Sequence, residues 1–283
     1  MKTGDMPDDR IRIGPEHVLR AERALDFLLD RIRNRTDGKS VVSVYGGSGV
    51  GKSEIASILG TRLEESGFPS YVLSGDNYPY RVPEDNDRER LLRYRYAGLT
   101  ALAEMSSFNS GRMAQLKDWW ERGEDPRIYA EWLEPYRLAA GKALDAYLGS
   151  PEEIDFDLLN RVIRQFRDGA SMIPLKRMGR GFGDWYLETV DFRGVSVLII
   201  EWTHGNSPHL RGVDYPIFLY SSPEETLAHR LARGRDRGAD SPFTSLVLIL
   251  EQAQLNRRAG SAELILSLSG ETMSPEDIPG YGS

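Results

Sequence analysis

The octapeptide Gly46-Gly47-Ser48-Gly49-Val50-Gly51-Lys52-Ser53 restricts what this chain can fold into more than any other segment. It meets the spacing Gly-x-x-x-x-Gly-Lys-[Ser/Thr], and it does so in the context that gives the spacing physical meaning. The β-branched run Val41-Val42-Ser43-Val44-Tyr45 precedes it as a buried strand. A helical pattern follows from Ser53 to Ser66 (Ile55, Ala56, Ile58, Leu59, Leu63) and stops at Gly67. Glycines let the backbone curl until consecutive N–H groups point inward, and the helix adds its positive N-terminal end. Such a nest binds polyphosphate. The pattern gives Gly46, Gly47, Ser48, Gly49, Val50 and Gly51 to a phosphate cradle, Lys52 to the β- and γ-phosphates of ATP, and the Ser53 hydroxyl to Mg²⁺.

The rest of the chain reads as strands alternating with helices, which predicts an α/β fold with a mainly parallel sheet. Val18, Leu19, Leu25, Leu28, Leu29 and Ile32 recur at helical spacing between Pro15 and Arg35. Tyr71–Ser74 is a second strand, closed by the turn Gly75-Asp76-Asn77. Helices are expected at 151–167, 223–233 (capped by Ser222) and 246–256. Strands are expected at 171–174, 195–200, 215–220 and 262–268. Between about 84 and 150 the pattern is helical and rich in arginine and aromatic residues. We therefore divide the chain into 1–83, the first part of a nucleotide-binding core; 84–150, a helical insertion; and 151–283, the rest of the core.

Composition narrows the function. Of 283 residues, 40% are hydrophobic and 28% charged, so a full core forms without staples. The absence of cysteine removes disulfides, thiolate metal sites and a cysteine nucleophile. A net charge of −7 argues against a nucleic-acid partner. No apolar run approaches the length of a membrane span and the N-terminal residues do not read as a signal peptide, so a cytoplasmic protein without a membrane partner is expected. His17, His204, His209 and His229 show no metal-ligand spacing.

Five segments, in order, resemble the uridine kinase and phosphoribulokinase group of P-loop small-molecule kinases. The loop itself is the first. The second is Leu73-Ser74-Gly75-Asp76-Asn77-Tyr78, similar to that group's strand ending in Asp-x-[Phe/Tyr]. The third is Asp155-Phe156-Asp157-Leu158-Leu159 running through Gly169 to Ile173-Pro174. The fourth is Val197-Leu198-Ile199-Ile200-Glu201, and the fifth is Asp214–Tyr220 with the arginine cluster beyond it. The resemblance implies a P-loop NTPase fold, with a parallel sheet flanked by helices, and transfer of the γ-phosphoryl of ATP to an alcohol. It implies Asp76 as general base beside the acceptor hydroxyl, with Tyr78 close by, and Glu201 near Mg²⁺. It also implies a lid at about 230–240 whose Arg230, Arg233 and Arg235, with Arg237, close over the phosphates. A homodimer is a further expectation. As bare residues, Asp76 reads equally as a turn aspartate and Glu201 as a strand-end acid paired with an arginine.

Two departures stand out. Trp202 occupies the place of a glycine after Glu201, leaving the polar loop Thr203-His204-Gly205-Asn206 at the edge where ligands bind in such sheets. After Pro174 the stacking tyrosine of the uridine site is missing, and Lys176 and Arg177 follow instead. Those two cations, with Arg180 beyond them, suit an anionic or polyhydroxylated small-molecule acceptor better than uridine, and His204 is a further candidate for binding it. Arg81, Arg88, Arg90, Arg93 and Arg95 of the insertion read either as a solvated helix face or as part of the acceptor site. Other P-loop phosphotransferases, acting on a nucleotide-sugar, an antibiotic or adenylylsulfate, fit the loop as well. An NTP-hydrolysing switch or nucleic-acid-dependent ATPase fits less well: there is no Asn-Lys-x-Asp, and Ile200 stands where a second acid would precede Glu201.

Overall fold

The computed structural model describes residues 11–35, 38–125, 130–179, 181, 183–222, 224–226 and 241–282. Five short strands form one all-parallel sheet: β1 (Ser40–Gly46), β2 (Ser70–Ser74), β5 (Val197–Trp202), β6 (Tyr215–Leu219) and β7 (Leu264–Leu266). Their order is β2-β5-β1-β6-β7, so β1, which feeds the phosphate loop, lies at the centre. Alternation along the strands sorts the core into two layers. Val42, Val44, Val197, Ile199, Ile217 and Leu219 face helices α1 (Pro15–Arg33) and α2 (Lys52–Glu65). Val41, Leu198, Ile200 and Trp202 face the other way, onto α6 (Phe156–Arg167). With both faces covered, β1 and β5 are buried along their whole length, which is why they read as unbroken apolar runs.

Local signals place the helices. Asp155 Oδ1 accepts from the Leu158 N–H at 2.9 Å and so caps α6, which starts at Phe156 rather than at 151. In helix α1 the expected Leu25, Leu28 and Ile32 are buried, and the first turns depart from the sequence reading. Val18 and Leu19 are exposed, while His17, Arg20, Ala24 and Leu28 form the inner face. The Ser222 hydroxyl accepts from the Glu225 N–H at 3.3 Å. The helix expected beyond it, the lid, and with them Arg230, Arg233, Arg235 and Arg237, lie outside the described residues, as does Arg180.

The segment after Pro83 is helical: α3 (Pro83–Ala103), α4 (Ser110–Glu121) and α5 (Glu134–Tyr147). Helices α3 and α5 cross at Gly98, where a Cβ would lie 2.4 Å from the Tyr136 ring, so only glycine permits this approach. Tyr94, Leu102, Tyr136, Ala140 and Leu144 fill the seam. Helix α7 (Pro242–Arg257) joins the same core through Val247 and Phe243, the latter ring 5.6 Å from Tyr94. The short strand expected at 171–174 extends to β3 (Met172–Met178) and pairs antiparallel with β4 (Trp185–Asp191), a strand the sequence did not announce. Among the described residues no helix is long and apolar enough to cross a membrane.

Candidate active site

The phosphate loop leaves β1 at Gly46 and enters α2 at Lys52, with Gly51 as N-cap at φ 93°. That left-handed conformation suits glycine, and a Cβ there would also lie 2.6 Å from the His17 ring. Helix α1 supports the loop from behind. Arg20, fully buried, donates from one terminal nitrogen to the Val50 carbonyl at 2.8 Å. Desolvation holds its pKa below the usual guanidinium value, and the charges of Glu16 and Glu54 oppose that shift. Gln252 of α7 meets the loop from the other side: a Cβ on Gly47 would sit 2.5 Å from its Oε1. Lys52 donates to the Gly47 carbonyl at 3.0 Å, folded back over its own loop.

Beside the loop stands Glu201, near the end of β5 and 3% exposed. Ser53 donates to its Oε2 at 3.3 Å and Ser74, the last residue of β2, to its Oε1 at 2.6 Å. The parallel register that pairs Glu201 with both Val44 and Ser74 makes this possible. The expected magnesium pair Ser53 and Glu201 is thus together. Asp76 follows directly in the one-turn 3₁₀ segment Gly75–Asn77, exposed to solvent, while its neighbour Asn77 is buried and accepts from the Met178 N–H at 2.9 Å. Trp202 explains itself here. Its ring occupies the space where a Cβ on Gly75 would be, 2.1 Å away, and stacks obliquely on Phe156. Trp202 is the floor of the turn that carries Asp76.

The remaining sequence candidates scatter. Tyr78 is wholly buried in the core between β2 and α6. Lys176 and Arg177, adjacent on a strand, point to opposite faces and share no pocket. Lys176 donates to the Pro79 carbonyl at 2.6 Å, and burial lowers its pKa. Arg177 is committed to Glu188 across the hairpin at 2.7 Å and to the Tyr71 hydroxyl at 2.9 Å. The expectation of a cationic acceptor pocket at these two residues therefore finds no such pocket. His204 lies against Trp202, ring centroids 5.3 Å apart, and burial pushes its pKa down to about 4, with Arg90, Arg258 and Lys52 in the same direction and Glu153 opposing.

Among the insertion arginines, Arg88, Arg93 and Arg95 pair locally with Glu84, Glu89 and Asp125. Arg81 reaches the Tyr147 hydroxyl. Only Arg90 turns toward the loop: its Nε donates to Glu153 at 2.6 Å and its terminal nitrogen to Glu251 of α7 at 3.2 Å. Glu251 lies within electrostatic reach of Lys52 and Asp76. Burial, the largest cause, lifts its pKa to about 7. Arg20, Gln252 and Glu251 escaped the sequence reading, which named Arg90 only as one of five insertion arginines that could reach the acceptor site. Arg20 alone left a trace, being in helical phase with Ala24 and Leu28.

Among the described residues no group of three or more His, Cys, Asp or Glu is placed to hold a metal ion. Ser53 and Glu201 offer oxygen donors only. That suits a hard cation which keeps most of its waters and completes its shell with phosphate oxygens.

A parallel sheet with a central strand feeding a phosphate loop, a strand-end glutamate beside the loop serine and an exposed aspartate on the adjoining strand define the P-loop kinase fold. Solved structures share it. D-glycerate 3-kinase from Cryptococcus neoformans aligns with 93% of this chain and 99% of its own at TM-score 0.50 and 14% identity. The YGR205w protein aligns with 93% and 98% at TM-score 0.51 and 10% identity. In sequence the chain is 38% identical over 247 residues to the bifunctional alpha-galactosidase/sucrose kinase AgaSK of Mediterraneibacter gnavus, covering 86% of this chain. The match spans 22% of that relative's length. No family model matches the chain.

Proposed function

We propose that this chain is a kinase that transfers the γ-phosphoryl group of ATP to a hydroxyl of a sugar. The observation that carries the reading is the Ser53–Glu201–Ser74 arrangement beside Lys52, with Asp76 exposed on the next strand end. Two activities stand in the name of the 38% identical relative. Glycoside hydrolysis needs a pair of carboxylates and no nucleotide, so a phosphate loop belongs with its sucrose kinase half.

The loop N–H groups and Lys52, swung from Gly47 onto the β- and γ-phosphates, bind the nucleotide. Ser53 and, through water, Glu201 would hold Mg²⁺, which would supply charge neutralisation on the phosphates. Asp76 orients the acceptor hydroxyl and takes its proton as the oxygen attacks the γ-phosphorus in line, while the bond from that phosphorus to the β,γ-bridging oxygen breaks and ADP leaves. By their place in the sequence, Arg230, Arg233 and Arg235 would close over the phosphates as a lid. A homodimer and a cytoplasmic setting belong to the same reading.

Measuring ADP release from the purified chain over a panel of sugars, with sucrose included, tests this. Little ADP should form until a sugar is added. Rapid ATP turnover driven by DNA or RNA, with no phosphorylated sugar, overturns it.

A further inference from the structure

Glu251 projects from α7 with its side chain 11% exposed, among groups supplied by other segments of the chain. Arg90 of α3 donates to its Oε1 at 3.2 Å. His204, from the loop after β5, lies 4.0 Å from the same oxygen. Glu153, between α5 and α6, takes the Nε of Arg90 at 2.6 Å, and Lys52 and Asp76 lie within electrostatic reach of Glu251. The network thus joins the insertion to both halves of the proposed transfer site.

The two carboxylates of this network differ. Glu153 is filled: Oε1 accepts from Arg90 and from Asn86 at 2.8 Å, and Oε2 accepts from the Gly149 N–H at 2.6 Å. Glu251 is not. Its neighbours share Oε1, and Oε2 accepts no hydrogen bond from a described residue. Oε2 is not sealed from water, so the donor of a ligand can reach it where no side chain does. Packing alone would be served at least as well by apolar side chains at 90 and 251. A sugar hydroxyl supplies what is missing. It donates to the open oxygen, accepts from a guanidinium N–H and adds no charge.

We propose that Arg90 and Glu251 read the acceptor, hydrogen-bonding neighbouring hydroxyls of a neutral polyol so that another hydroxyl faces Asp76. This rests on the kinase reading above and narrows its substrate class to uncharged carbohydrates. An acceptor carrying a carboxylate meets Asp76, Glu153 and Glu251 together, and Arg90 is already divided between two of them.

Steady-state kinetics of the full chain, with sucrose and with an aldose compared with its aldonic acid, test the proposal. The wild type should use the neutral sugar at least about tenfold more efficiently than the acid. Arg90→Lys and Glu251→Gln should each raise the acceptor KM about 10- to 100-fold, the loss expected for a hydrogen bond to a charged group, with ATP KM near wild type and the native circular-dichroism spectrum retained. Folded variants with unchanged acceptor KM overturn the assignment while leaving the kinase reading intact. Should both variants fail to fold, the wild-type comparison decides, and preference for the acid overturns the proposal. A wild type that phosphorylates neither class overturns both readings.

Discussion

Arg20 donates from a fully buried guanidinium to the carbonyl oxygen of Val50, at 2.8 Å, from beneath the phosphate loop. The bond ties the loop to α1, whose other inner residues pack on α2 and the sheet. Arg20→Met keeps the bulk and removes the donor. It leaves the Val50 carbonyl unsatisfied and Glu54, itself 2% exposed, without its nearby cation. Breaking a buried charge arrangement from one side costs about 3 kcal/mol. We expect a lower thermal midpoint and an ATP affinity weakened about tenfold, read by calorimetry at a temperature where the variant is folded. Unchanged affinity in the folded variant would show that the loop holds its shape without α1.

Asp76, the proposed base, is exposed on a turn whose floor is Trp202. Asp76→Asn keeps the shape and loses the base. Turnover should fall about 10²- to 10⁴-fold with ATP binding nearly intact. Lys52→Ala should weaken both. Single-turnover assays beside equilibrium ATP binding separate the two patterns, and an Asn variant turning over like wild type would remove Asp76 as base.

Glu201 accepts from Ser53 and Ser74 at once, so it braces two strand ends and stands beside the proposed metal ligand Ser53. Glu201→Gln preserves the size and most of the bracing. The magnesium concentration for half-maximal activity should rise about tenfold or more, as for loss of an outer-shell metal partner. A magnesium titration at saturating ATP checks this. A variant slowed equally at every magnesium concentration would confine Glu201 to holding the strands.

What the sequence revealed was mostly local. The loop, its strand and its helix are contiguous, and the apolar β1 and β5 announce themselves because both sheet faces are covered. Strand β4 gave no such signal: Trp185, Tyr186 and Leu187 are all more than half exposed, so no face alternates. The order β2-β5-β1-β6-β7 brings Ser74, Glu201 and Ser53 together from distant segments, and only the resemblance pointed at it. Arg90 and Glu251 are separated by 161 positions, on helices with little amphipathic contrast. Nothing in spacing marks such a pair. Lys176 and Arg177 show the reverse error, since adjacency in sequence suggested one pocket and the strand turned them to opposite faces.

His204 and Glu251 make opposite contributions to stability as pH changes. Burial lowers the His204 pKa from 6.5 to about 4, so at intermediate pH the unfolded chain binds a proton that the folded chain does not. Stability from this group therefore rises with pH up to about 6.5 and is lost as pH falls toward 4. Burial raises the Glu251 pKa from 4.5 to about 7, so there the folded chain holds a proton that the unfolded chain has released. Its contribution is fully present below pH 4.5 and declines up to about pH 7. Each group acts with a slope of at most about 1.4 kcal/mol per pH unit. From pH 4.5 to 6.5 the two slopes oppose each other. Glu251→Gln removes the falling one. The melting temperature of the variant should then climb with pH relative to wild type across this window, while His204→Gln should show the opposite drift. Midpoints followed by circular dichroism at half-unit steps of pH measure both differences. Parallel curves for wild type and Glu251→Gln would mean that Glu251 is ionised in the folded protein throughout, paired with Arg90 as a plain salt bridge.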